Sequence, residues 1–172
     1  GNLGVMGWSQ GGTDALLAAE AHPGTFQAVV TWSGALELNG ASLFAGTSFE
    51  DAYAQAKKEG FYTMTFDWRE PLELGERWFQ EVAETNILKV TADIKAPILA
   101  INGKDDTTVT PDNAEKIVKA AANADSQLLL VDNCDHTYNV FSGDFTALYQ
   151  TVDATAAFFQ AQLIPAAAQA AA

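Results

Sequence analysis

The chain has 172 residues, 48% of them hydrophobic and 18% charged, enough for one soluble domain with a hydrophobic core. A formal net charge of −13 repels phosphate groups and argues against nucleic acid or an anionic membrane as partner. The lone cysteine, Cys134, leaves no internal disulfide and no cysteine-based metal site, and no apolar run reaches membrane-spanning length.

In chain order, residues 2–7 read as a short buried strand entering a glycine turn. A helix rich in alanine and leucine follows over 10–21, stopped by His22-Pro23-Gly24. Residues 27–32 make a second strand, closed by Ser33-Gly34. Residues 97–102 make a third and 127–131 a fourth, with a helix opened by Pro111 over roughly 112–122 between them. The last helix spans about 144–163, with Phe145, Leu148, Tyr149, Val152, Ala156, Phe159 and Leu163 at helical spacing. Apolar strands alternating with helices indicate an α/β fold of about four parallel strands with helices on both faces.

Residues 35–94 interrupt this pattern and hold nine of the 18 aromatic residues. They read as a helix near 49–59, an extended or hairpin segment near 61–73 and a helix near 74–84. An insertion at the end where strands hand over to helices lies where open α/β sheets bind ligands, so it is expected to cap the site. The core is then 1–34 with 95–164, and the alanine-rich tail at 165–172 is expected to be disordered.

Gly7-Trp8-Ser9-Gln10-Gly11-Gly12 follows one predicted strand and opens a predicted helix. In that context Gly-x-Ser-x-Gly is a nucleophile elbow, whose tight turn lifts the serine hydroxyl above the sheet edge. Gly7 and Gly11 are expected where a side chain would collide. The backbone N–H of Gln10, at a helix N-terminus, is placed to stabilise an oxyanion forming beside Ser9.

A hydroxyl of ordinary pKa needs a base to act as a nucleophile. Of the two histidines, His22 sits at a helix end, where its charge suits the helix dipole and explains it. His136, in Asp132-Asn133-Cys134-Asp135-His136-Thr137, lies in the loop after the fourth strand and is the candidate base. The orienting acid is expected after the third strand, in Gly103-Lys104-Asp105-Asp106-Thr107-Thr108-Val109. Asp106 is the choice there, with Asp105 as the alternative, capping the turn. Cys134 reads as a buried, inert thiol. Lys57-Lys58-Glu59 reads as a solvated helix face, and Asp67-Trp68-Arg69-Glu70 as pocket lining or as packing within the insertion.

The elbow, the Gly-x-x-Asp loop, the stretch Asp135-His136-Thr137-Tyr138-Asn139 and the order Ser, Asp, His together resemble α/β-hydrolases near the cinnamoyl and feruloyl esterases and the prolyl-oligopeptidase-like peptidases. The resemblance implies the C-terminal half of an α/β-hydrolase sheet, with Ser9 as nucleophile, His136 as base, Asp106 as its partner, and no metal or cofactor. The aromatic insertion is similar to the small cap of the esterases, which favours small-molecule carboxylic esters with aromatic or short acyl groups. Trp8 is similar to the elbow of the peptidases, where a tyrosine usually stands in place of Gln10.

Enzymes of this kind carry further strands before the elbow, and a loop after one of them supplies a second oxyanion donor. This sequence begins one strand before the serine. Loss of such a donor costs about 2.7–4 kcal/mol of transition-state stabilisation. The first strand is therefore expected to be a sheet edge exposing Leu3 and Val5, covered by a homodimer partner or by a separate N-terminal half. The competing expectations are an esterase, a peptidase, and a catalytically silent fragment serving as a binding or assembly module. No leader peptide is read in this sequence, which is expected to begin in mid-fold, so the compartment stays open.

Overall fold

The structure, a computed structural model, describes residues 2–40, 43–44, 46–66 and 69–164. Asp67, Trp68 and the tail at 165–172, for which the sequence raised expectations, lie outside the described residues. In chain order the elements are β1 (Gly4–Trp8), α1 (Gln10–Ala21), β2 (Ala28–Trp32), α2 (Phe49–Glu59), β3 (Phe61–Met64), β4 (Leu72–Gly75), α3 (Glu76–Glu84), α4 (Ile87–Asp93), β5 (Ile98–Gly103), α5 (Asp112–Ala120), β6 (Gln127–Val131) and α6 (Thr146–Leu163).

β1, β2, β5 and β6 form one parallel sheet in the order β1-β2-β5-β6. Its central strands are apolar on both faces because both faces are covered, as parallel sheets require. Side chains alternate across each strand. Val29, Ile98 and Ala100 therefore pack with Leu16 of α1, Ile87 of α4 and Ile117 of α5. Val30, Leu99, Ile101 and Val131 pack on the opposite face with Ala147 and Phe158 of α6. The seven-residue α4, which the sequence reading left inside the insertion, contributes Ile87 and Thr91 to the buried interior.

α6 turns only part of the apolar stripe read in the sequence to the sheet: Leu148, Phe159 and Leu163 pack against the core there, but the fully buried positions are others. Ala147, Thr151, Thr155 and Phe158 are buried, whereas Phe145, Tyr149 and Val152 are exposed at 42%, 65% and 43%. The threonines can lie against the sheet because their hydroxyls are satisfied within the helix. Thr151 Oγ1 donates to the Ala147 carbonyl and Thr155 Oγ1 to that of Thr151, each at 2.9 Å.

β1 is an edge strand, paired in the described residues to β2 alone. The exposed apolar residues along this edge are Leu3, just before β1, with Met6 and Trp8 within it, rather than Leu3 and Val5. Val5 faces the α1 side and packs against the core there, so alternation turns Met6 to the other face.

Glu37–Asn86 forms a second compact unit, within the 35–94 span read as an insertion. Ser48 caps α2 by accepting from the Asp51 amide at 3.0 Å, and Gly60 ends it at φ 90°. β3 and β4 pair antiparallel. The unit has its own aromatic core, in which Phe79 is fully buried, stacked on Tyr53 at 5.5 Å and met edge-on by Trp78 at 5.0 Å.

Candidate active site

The turn from β1 into α1 places Ser9 in a backbone conformation that L-residues rarely occupy, φ 56° and ψ −123°. Such strain persists only where the surroundings over-determine it. Here the Ser9 amide donates to the Trp32 carbonyl at 2.8 Å and the Gly12 amide to that of Ser9 at 3.0 Å. A Cβ on Gly7 would stand 1.9 Å from the Gly11 carbonyl oxygen, so only glycine fits there. The second collision falls at Gly12, whose Cβ would lie 2.8 Å from Gly34 Cα, and not at Gly11, which faces open space. The reason is helical phase. Gly12 points down onto β2 while Gly11 points away from it. Gln10 is the first residue of α1, so its N–H has no carbonyl four residues back within the helix.

His136 follows β6 in a loop that folds around Asp135. The Asp135 carboxylate accepts from Thr137 N at 2.8 Å, Thr137 Oγ1 at 2.8 Å and Asn139 N at 2.9 Å. Asn139 returns a bond, accepting from the Asp135 amide at 3.1 Å. Asn133, Tyr138 and Asn139 all take positive φ, so the loop is tightly coiled. Burial pushes the Asp135 carboxyl up, but the Asn139 and Thr137 bonds with the nearby His136 bring it below its ordinary value. Beneath the loop, the Tyr138 hydroxyl shares a hydrogen bond with Ser33 Oγ at 3.2 Å and donates to the Ile101 carbonyl at 3.3 Å. Burial is the first cause raising the Tyr138 pKa, so the phenol stays protonated.

Asp106 lies in the turn after β5 with its side chain wholly buried. Its Oδ1 accepts from the amides of Thr108 and Val109 at 2.9 and 2.8 Å, and its Oδ2 faces His136. Burial raises the carboxyl pKa, but the hydrogen bonds from His136 and Val109, the His136 charge and Ser33 together lower it below the ordinary value. Asn102 holds the turn closed by donating to the Val109 carbonyl at 2.9 Å.

The structure brings Ser9, His136 and Asp106 into one hydrogen-bonded chain. Ser9 Oγ lies 3.1 Å from His136 Nε2, and His136 Nδ1 lies 2.8 Å from Asp106 Oδ2. Asp105 points to solvent, its amide donating to the Cys134 carbonyl at 3.0 Å. His22 is the C-cap at the far end of α1, about 18 Å along the helix from the elbow. Cys134 is buried, and burial first, then Asp135, Asp106 and Asp105, push its thiol up to about 11. Among the described residues no three His, Cys, Asp or Glu side chains converge as a metal site requires.

Sequence reasoning missed the bracing around these groups. Trp8 donates its indole N–H to the His136 carbonyl at 2.9 Å, and Trp32 donates to Thr155 Oγ1 at 2.9 Å. Beside them opens an apolar cavity of about 340 Å³, bounded by Trp8, Trp32, Tyr138, Phe141 and Leu148. The only signal for it in the sequence was the tryptophan at the second position of the elbow.

Parallel strands in this order, with a strained serine at the first strand-to-helix turn, define the α/β-hydrolase fold. The chain belongs to the prolyl oligopeptidase family, whose family model matches residues 1–164. Among curated protein sequences the chain has no match. It is similar in fold to Est1E from Butyrivibrio proteoclasticus with ferulic acid bound, at 18% identity and a TM-score of 0.70, over 94% of this chain and 60% of that one. It is also similar to a monoacylglycerol lipase from Paleococcus ferrophilus, at 18% identity and a TM-score of 0.62, over 78% of this chain and 60% of that one. A puromycin-hydrolysing peptidase from Mycobacterium tuberculosis is similar at 22% identity and a TM-score of 0.62, over 94% of this chain and 22% of that one. The chain thus matches about 60% of the length of the esterase and lipase structures.

Proposed function

We propose that the chain is a serine hydrolase cleaving small-molecule carboxylic esters through an acyl-serine intermediate, without metal or cofactor. The observation that carries this reading is the unbroken chain Ser9 Oγ–His136 Nε2 and His136 Nδ1–Asp106 Oδ2, at 3.1 and 2.8 Å. Ser9 Oγ attacks the ester carbonyl carbon as its proton passes to His136 Nε2. Asp106, held ionised, keeps the Nδ1 proton facing it and stabilises the imidazolium. The carbonyl oxygen becomes an oxyanion beside the Gln10 N–H. As the intermediate collapses, the C–O bond to the alcohol breaks and the alcohol leaves with the proton from Nε2. Water, deprotonated by the same nitrogen, then releases the acid and restores the Ser9 hydroxyl.

The apolar cavity beside the elbow suits an acyl or alcohol group that is aliphatic or aromatic. The ferulic acid held by Est1E, a structure of the same fold, favours the same class. We assign the aromatic unit at 37–86 the role of a cap that adds substrate selectivity. The exposed β1 edge is proposed to be covered by a second copy of the chain or by a separate N-terminal segment.

Family membership favours a second reading, peptide-bond hydrolysis by the same residues. Parallel assays with p-nitrophenyl acetate and a peptide p-nitroanilide, each repeated on Ser9→Ala, separate the two. Ester turnover that vanishes in Ser9→Ala supports the first reading. Anilide turnover alone supports the second. Neither, with no labelling by a fluorophosphonate, would make the chain a silent binding module.

A further inference from the structure

We infer that Trp8 is a positioning residue that holds the His136 imidazole at Ser9, an inference that rests on the hydrolase reading above. Trp8 ends β1 in register with Trp32 at the end of β2. Both indoles line the apolar cavity, and both spend their only polar group on bracing. Trp32 is tied to α6 through Thr155 Oγ1 and lies against Tyr138, ring centres 5.1 Å apart. Trp8 is tied to the loop itself, its N–H to the His136 carbonyl at 2.9 Å and its ring centre 5.3 Å from the imidazole.

The consequence is geometric. Nδ1 of His136 is held by Asp106 from one side, but one hydrogen bond leaves a ring free to swing about it. The Trp8 bond to the His136 carbonyl and the tilted contact of the two rings restrict that freedom and favour the arrangement in which Nε2 stands 3.1 Å from Ser9 Oγ. Trp8 is the residue immediately before the nucleophile. One short segment therefore touches both partners of the proton transfer and couples the position of the His136 loop to that of Ser9. Small misplacements matter here, because a shift of about 1 Å can cost about a hundredfold in rate.

Trp8→Phe tests this, since it keeps a ring and removes the N–H. The expected result is a thermal midpoint close to the parent's, kcat for p-nitrophenyl acetate lower by about tenfold and KM within about twofold. The low-field proton resonance of the His136–Asp106 hydrogen bond should broaden in the same variant. In the parent, with no substitution, the Trp8 indole proton should exchange more slowly than that of a free indole. An unchanged kcat, a loss confined to KM, or free-indole exchange in the parent would overturn the inference and leave Trp8 as a cavity wall. Should the parent prove inert to esters and to fluorophosphonate, the hydrolase reading fails, and the resonance and exchange arms still decide the positioning.

Discussion

Asp106 Oδ2 lies 2.8 Å from His136 Nδ1, and the same carboxylate accepts two backbone amides from its own turn. One buried group thus orients the histidine and closes its own turn after β5. Asp106→Asn is expected to separate these roles. An amide can still occupy the turn but favours the wrong imidazole tautomer, so ester turnover should fall by about 10⁴-fold. Steady-state kinetics with a thermal melt alongside will show it. A variant that keeps its rate would remove Asp106 from the relay.

The same carboxylate predicts a pH dependence of stability. Its folded pKa lies below the unfolded one, since the bonds from His136 and Val109 outweigh the burial that pushes it up. Its stabilisation is therefore fully present above the unfolded value, about pH 4, and is lost as the pH falls through the lowered folded value. Asp135 acts in the same direction. Asp14, raised by burial, acts in the opposite one. Urea midpoints measured from pH 7 down to pH 3 should fall in the parent and fall less steeply in Asp106→Asn.

Ser9→Ala and His136→Ala are each expected to abolish ester turnover, with the double variant scarcely worse than either. Groups that act as one unit lose their effect together. Independent losses that multiply in the double variant would show that His136 does not activate Ser9.

The two outer glycines of the elbow should part company. Gly7→Ala drives a Cβ to within 1.9 Å of the Gly11 carbonyl oxygen and is expected to prevent folding. Gly11→Ala meets nothing within 4 Å and, early in α1, should raise stability by about 0.5–1 kcal/mol. Chemical denaturation of the two variants checks both directions.

These contrasts show what could be read from the residues and what could not. The sheet was legible because two covered faces demand unbroken apolar strands such as Ile98-Leu99-Ala100-Ile101, and the elbow because its glycines flank a serine between strand and helix. The buried face of α6 was legible only in part, through Leu148, Phe159 and Leu163. Thr151 and Thr155 read as polar until their hydroxyls are seen satisfied by the helix itself, while Phe145 and Tyr149 read as core and are exposed. α4 escaped notice because seven residues make barely two turns, too few for a periodic pattern. The bond from Trp8 to the His136 carbonyl joins positions 128 residues apart in the chain, and no local pattern announces it.

The exposed β1 edge, with Leu3 and Met6 in solvent, should be protected by another chain at working concentrations. Light scattering over a dilution series, with amide exchange at residues 2–7, tests this. A monomer at every concentration, exchanging rapidly throughout that strand, would show that the edge stands uncovered.

The central claim is that Ser9 is a nucleophile activated by His136, and covalent labelling by a fluorophosphonate followed by peptide mass spectrometry tests it most directly. The account predicts one adduct, on Ser9, absent in Ser9→Ala and formed far more slowly in His136→Ala. No adduct on the parent chain, an adduct at Ser33 or another hydroxyl, or labelling at the parent rate in His136→Ala would contradict it.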